Sequence, residues 1–139
     1  MYADRLPPHD IDAEESVIGS VLIDGEALHR TSSFLRPLDF YGERNRWCYQ
    51  ACLALAGRGE AINQVTVAHE LSIEDHLEGV GGTSYLTHLV AAVPTSVHIE
   101  HYARIVHRTS VMRRIIQAAG DIANMGYQGG PDVDAALRE

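Results

Sequence analysis

Apolar residues recur along this chain with the period of a helix almost everywhere. Pro7 and Pro8 hold an extended entry. Asp12 is then placed to cap a first helix, with Glu15 in capping-box spacing. Val17, Ile18, Val21 and Leu22 form its apolar stripe, and Asp24-Gly25 stops it. A short second helix is predicted over residues 26–35, with Ala27, Leu28, Thr31 and Leu35 on one side. Pro37-Leu38-Asp39 opens a turn before Phe40-Tyr41. The third helix, over 43–56, is apolar on several faces through Trp47, Cys48, Ala51, Cys52, Leu53 and Leu55, so it reads as the buried central helix. Gly57 and Gly59 end it. Val65, Val67, Ala68 and Leu71 define a short fourth helix. The polar stretch from Ser72 to Val80 ends at Gly81-Gly82. Thr83 or Ser84 then caps a fifth helix carrying Tyr85, Leu86, Leu89, Val90 and Val93, which Pro94 breaks.

Thr95 or Ser96 caps the longest pattern, which runs from Val97 to about Met125 with only Gly120 interrupting it. Ile105, Met112, Ile115, Ile116, Ala119, Ile122 and Ala123 hold its apolar side. At 1.5 Å per residue, roughly 29 residues reach about 43 Å. A domain of this length is on the order of 30 Å across, so part of that helix is expected to project. Gly126 and Gly129-Gly130-Pro131 make a turn, and Asp132 or Asp134 starts one more helix, inside which the sequence stops at Glu139. Val65-Thr66-Val67 is the only stretch with strand character, and it is too short to count. The pattern therefore predicts an all-α fold. A small globular bundle occupies 1–94, and a projecting antiparallel helical hairpin occupies 95–139 with its second helix cut short. An apolar stripe on a projecting helix needs cover. The second helix supplies half, and another subunit the rest. Self-association is expected, with Ile105, Met112, Ile116 and Ala119 at the hairpin seam or subunit interface.

Composition sharpens this picture by exclusion. The chain has 139 residues, 45% of them apolar, enough for one real core. It carries 19 acidic residues against 11 basic ones, for a formal charge of −8. Every basic residue is arginine. Without a lysine there is no intact P-loop, no Schiff-base chemistry and no kinase phosphate site. An acidic chain repels phosphate backbones, so direct contact of this segment with DNA is not expected. Arg104, Arg108, Arg113 and Arg114 nevertheless give the long helix a basic stretch. It either pairs with the acidic remainder or docks an acidic partner or single-stranded nucleic acid. Arg108, Arg113 and Arg114 are the docking candidates.

Other chemistry finds little support. Cys48 and Cys52 share one helix face at a spacing too long for a relaxed disulfide, and they read as buried small hydrophobes. His98, His101 and His107 share a helix and could ligate a metal in a small metal-dependent enzyme. They lack the His-Glu-x-x-His arrangement, and a solvated helix face explains them more simply. Gly79-Val80-Gly81-Gly82 follows a polar helix rather than a strand, so it is a turn needing positive φ rather than a dinucleotide loop. No catalytic, cofactor or metal residues are assigned. The N-terminus has no apolar signal core, and no apolar run reaches the roughly 18 residues of a membrane span. A cytoplasmic location is expected.

Six pieces of this sequence, taken in order, resemble the start of DnaB-type bacterial replicative helicases. They are the run from Leu6 to Asp24, Leu35 to Tyr41, Val65 to Leu71, Val80 to Leu86, Val93-Pro94-Thr95-Ser96 through Tyr102 to Val106, and Arg113-Arg114. The similarity covers residues 6 to about 137. Asn63 stands where the family usually shows Asp, and caps a helix as well. The resemblance implies a non-catalytic, all-helical N-terminal domain. In the family, hairpins pair into dimers, three dimers form the collar of a hexameric ring, primase docks there and loaders contact it. It also implies that the chain stops before the linker and the RecA-like motor. The motor would make the parent an ATP-dependent DNA helicase and hold its ATP and magnesium. A stand-alone adaptor or regulator of helicase or primase, built from the same domain, is the alternative.

Overall fold

Two prolines and an aspartate set how the chain enters its first helix. The computed structural model describes residues 5–129 and 137–138. Helix α1 (Ile11–Ile23) is capped by Asp10, whose carboxylate accepts from the Ala13 amide at 2.9 Å. The predicted cap, Asp12, lies inside the helix instead. The aspartate next to the prolines meets the first free amides, and Asp12 becomes a first-turn acid facing the positive end of the helix dipole. The predicted stripe is buried: Val17, Ile18 and Val21 have no exposed surface. Gly19 lets α1 and α5 (Gly82–Ala91) touch through backbone, since a Cβ there would sit 2.2 Å from the Leu89 carbonyl oxygen.

The predicted second helix is a 3-10 helix (Gly25–Arg30) with an Asp24 cap, followed by a turn, and Pro37–Asp39 forms one more 3-10 turn. Helix α2 (Glu43–Gly57) is central as expected and buries Cys48, Tyr49, Ala51, Cys52 and Leu55. Both cysteines are free thiols. Helix α3 (Gln64–Ile73) starts at Asn63, whose side chain accepts from the Val65 and Thr66 amides. It buries Val67 and Leu71 but leaves Val65 77% exposed. The short α4 (Leu77–Val80) leads into α5 through Gly81 and Gly82, at φ +107° and +70°. The predicted positive φ is present, whereas neither Thr83 nor Ser84 caps the helix.

Helix α6 (Ile99–Gln128) has 30 residues and is preceded by His98 rather than capped by Thr95 or Ser96. Ile99, Ala103, Val106 and Ser110 are buried in the same core as α1 and α5. The first three turns of α6 thus belong to the globule, and residues 111–128 bury nothing. That stretch extends for roughly 27 Å at 1.5 Å per residue. Gly129, at φ +35°, ends the helix. The rest of the predicted turn, Gly130-Pro131, and the start of the next helix at Asp132 or Asp134 lie outside the described residues. Among the described residues there is no strand, and no helix is long and apolar enough to cross a membrane.

Candidate interaction surface on the projecting helix

Where α6 leaves the core, a group of polar side chains forms a collar. The Ser110 hydroxyl donates to Asp39 Oδ1 at 2.7 Å, and the Arg36 amide donates to Asp39 Oδ2 at 2.7 Å. Asp39 is thereby buried with its carboxylate occupied, which is the condition for burying a charge. Arg113, one turn further on, donates to the Asp39 carbonyl at 2.7 Å and to the Pro8 carbonyl at 2.8 Å. Arg114 faces Asp39 Oδ1 at 3.9 Å, with its side chain 66% exposed.

Beyond the collar, α6 shows apolar residues to solvent. Met112 is 44% exposed, Ile116 49%, Ile115 62% and Ile122 66%. Ala119 is exposed as well, whereas Ile105 packs half-buried against the core. Of the predicted interface residues, Met112, Ile116 and Ala119 lie on this free stretch, and Ile105 lies inside the globule's edge. A groove of about 440 Å³ runs between the segment Arg5–Pro8 and Ile116, Ala119 and Gly120 of α6. A second groove, about 420 Å³, lies between Arg36, Leu38 and Asp39 on one side and Arg113, Arg114 and Gln117 on the other.

The three arginines expected to dock a partner have different surroundings. Arg108 is exposed. Arg114 is exposed beside Asp39, and Arg113 is engaged by two backbone carbonyls of its own chain. Arg104 pairs with Glu100 at 3.6 Å. Among the histidines, His107 meets the Phe34 ring edge-on, and His98 and His101 are exposed. Among the described residues no three His, Cys, Asp or Glu side chains gather as metal ligands.

The sequence gives no sign of the tertiary roles of Glu14's carboxylate, of Asp39 under α6 or of the docking of Arg5–Pro8 against α6. Glu14 is fully buried and accepts from the Tyr41 and Gly42 amides at 2.7 and 3.0 Å, and from Asn45 Nδ2 at 3.1 Å. It holds the start of α2, and with it the Phe40-Tyr41 turn under the collar. Only the position of Glu14 carried a signal. Positions 14, 17, 18 and 21 share one helix face, so Glu14 sits in the apolar stripe.

The fold is thus a helical globule that extends an apolar-faced helix past its own core. The chain belongs to the DnaB-like helicase N-terminal domain family, whose profile matches residues 6–108. It is 43% identical over 139 residues to the replicative DNA helicase DnaB of Geobacillus stearothermophilus, and 45% identical over 136 residues to the replicative DNA helicase DnaC of Bacillus subtilis. Those matches take in 100% and 98% of this chain but 31% and 30% of the relatives, so the chain spans less than a third of their length. Among solved structures, it superposes on the N-terminal domain of the Mycobacterium tuberculosis DnaB helicase with a TM-score of 0.92 at 38% identity. That match covers 96% of this chain and 93% of the other. The N-terminal domain of the Helicobacter pylori DnaB helicase shares the fold, with a TM-score of 0.68 at 18% identity over 84% of this chain and 90% of that one.

Proposed function

We propose that this chain is the non-catalytic assembly and docking domain of a hexameric replicative DNA helicase working in the bacterial cytoplasm. The observation that carries the reading is the stretch of α6 beyond Ser110, which exposes Met112, Ile115, Ile116 and Ile122 while contributing nothing to its own core. Such a face is stabilised by a second apolar surface, and a second copy of the chain provides one. Dimers formed this way, three to a ring, make the collar. ATP and magnesium act in the motor domain that the relatives' additional length accommodates.

Primase, and also a helicase loader, dock on this collar in the same reading. Two solved relatives of this fold are described by their interactions with primase, at 24% and 18% identity. On this chain Arg108 and Arg114 are the outward-facing cations for that contact, with Leu38, 79% exposed, as an apolar neighbour.

Light scattering across a concentration series tests the assembly part. Dimers growing with concentration are expected. Monomer alone at the highest concentration, in a chain extended to include the complete second hairpin helix, overturns it. Calorimetric titration with the primase of the same organism tests the docking part. Arg108→Glu with Arg114→Glu is expected to weaken that binding about tenfold or more, as loss of charge complementarity does. Unchanged binding removes these two residues from the contact.

A further inference from the structure

The segment Arg5–His9 precedes the first helix, yet it is tied to the neck of the last one. Arg113 donates one guanidinium nitrogen to the Pro8 carbonyl at 2.8 Å and the other to the Asp39 carbonyl at 2.7 Å. The same guanidinium lies 5.5 Å from the Tyr41 ring centre, and His9 stacks on that ring at 4.4 Å with an 18° tilt. His9 Nδ1 in turn lies 2.7 Å from the Pro7 carbonyl. One arginine therefore joins three pieces of chain that are remote in sequence: the N-terminal segment, the Pro37–Asp39 turn and α6. It does so just past Ser110, the last buried residue of the helix. Two prolines keep the segment extended with little entropy left to lose on docking. The planar fork of an arginine presents a separate nitrogen to each carbonyl, whereas a lysine has one nitrogen to share between them.

We propose that Arg5–His9 is a strap latched by Arg113, and that the latch sets both the direction of the projecting half of α6 and the shape of its apolar face. Latched, the strap forms one wall of the groove against Ile116, Ala119 and Gly120. Unlatched, the wall is gone and that side of the helix is an open surface. Among the described residues no side chain of α6 past Ser110 is buried, and Arg113 makes that stretch's only hydrogen bonds to another part of the chain. The device operates within one chain, whatever partner the helix takes.

Hydrogen exchange on the 139-residue chain tests this, together with spin-label distances between Val65→Cys on α3 and Asn124→Cys on α6, both away from the buried native thiols. The variants are Arg113→Gln, Arg113→Lys, a chain starting at His9, which keeps the Asp10 cap of α1, and the shortened chain carrying Arg113→Gln. Arg113→Gln and the shortened chain are each expected to speed exchange at 36–41 and 111–117 about tenfold, as loss of one charge-assisted hydrogen bond does. Each is also expected to broaden the distance distribution while the α2 amides stay protected. The combined variant is expected to add little to either alone, because both changes open the same latch. Additive effects overturn the proposal, since strap and arginine would then act separately. So does a shortened chain with native exchange at 111–117. Arg113→Lys is expected to fall between the parent chain and Arg113→Gln, and an Arg113→Gln variant with native exchange at 111–117 overturns the latch.

Discussion

The hydroxyl of Ser110 and the carboxylate of Asp39 meet at 2.7 Å at the last point where α6 touches the core. The acceptor is buried, so losing this donor leaves the carboxylate with only the Arg36 amide at 2.7 Å on its other oxygen and the Arg114 guanidinium at 3.9 Å. Ser110→Ala is expected to destabilise the domain by about 2 kcal/mol, a typical cost for a hydrogen bond to a buried charge. Denaturant unfolding followed by circular dichroism measures it, and a change near zero would mean that water replaces the hydroxyl without loss.

Glu14 is a more demanding case. Its two oxygens accept from two backbone amides and from Asn45 Nδ2, and Asn45 in turn accepts from the Tyr85 hydroxyl. Glutamine keeps the shape but turns an acceptor into a donor that faces other donors. Glu14→Gln is expected to cost on the order of 3 kcal/mol and to loosen the start of α2. Equal midpoints for the two proteins in urea would overturn this role of the carboxylate.

Charged substitutions on the projecting helix should separate assembly from folding. Met112→Glu and Ile116→Glu place charges at positions that stay 44% and 49% exposed among the described residues. Each is expected to shift dimer to monomer in light scattering, with globule stability changed by under about 0.5 kcal/mol, as is usual for surface positions. Collapse of the circular dichroism signal would place these residues in a core instead.

Alkaline pH provides a test of the centre. Burial pushes the Cys48 thiol from 9.0 up to about 12 and the Tyr49 hydroxyl from 10.0 up to about 12. It also raises Cys52 and Tyr85. The unfolded chain loses these protons near the ordinary values, whereas the folded chain keeps them. Stability from these groups is therefore full below about pH 9 and falls as pH rises toward about 12. Melting temperature is expected to be level near pH 8 and to drop steadily by about pH 11. A flat profile across that range contradicts the burial of these groups.

Most of the helices were legible because burial on one face writes itself into the sequence every three to four residues. Val17, Ile18 and Val21 announce α1, and the crowded apolar faces of Trp47 through Leu55 announce α2 as the centre. Helix α6 was legible as a length that outruns its domain. The misses lie where two similar residues compete for one task or where partners are far apart in sequence. Asp10 and Asp12 differ only in which reaches the free amides first. The stretch after Gly25 is too short for helical period to distinguish a 3-10 helix from an α-helix. Val65 fits the stripe of α3 on paper, yet no element covers it. The collar was illegible because Ser110, Asp39, Arg113 and Pro8 lie up to 105 positions apart, and no periodicity links them. Arg113 looked like an outward cation for that reason, although its donors face inward.

Past Ser110, α6 is a helix without a core. Its continuation needs no new nucleus, yet without tertiary packing propagation is close to balanced and the free end frays. The helical content of residues 111–128 is therefore a variable rather than a fixed property of the fold. On the assembly proposed above, cover over Met112, Ile116 and Ile122 raises it and dilution lowers it. The chain's single tryptophan, Trp47, is stacked on His76 in the globule and is blind to that change. Fluorescence thus follows the globule alone while circular dichroism sums both halves, so a loss seen only in circular dichroism reports the projecting helix.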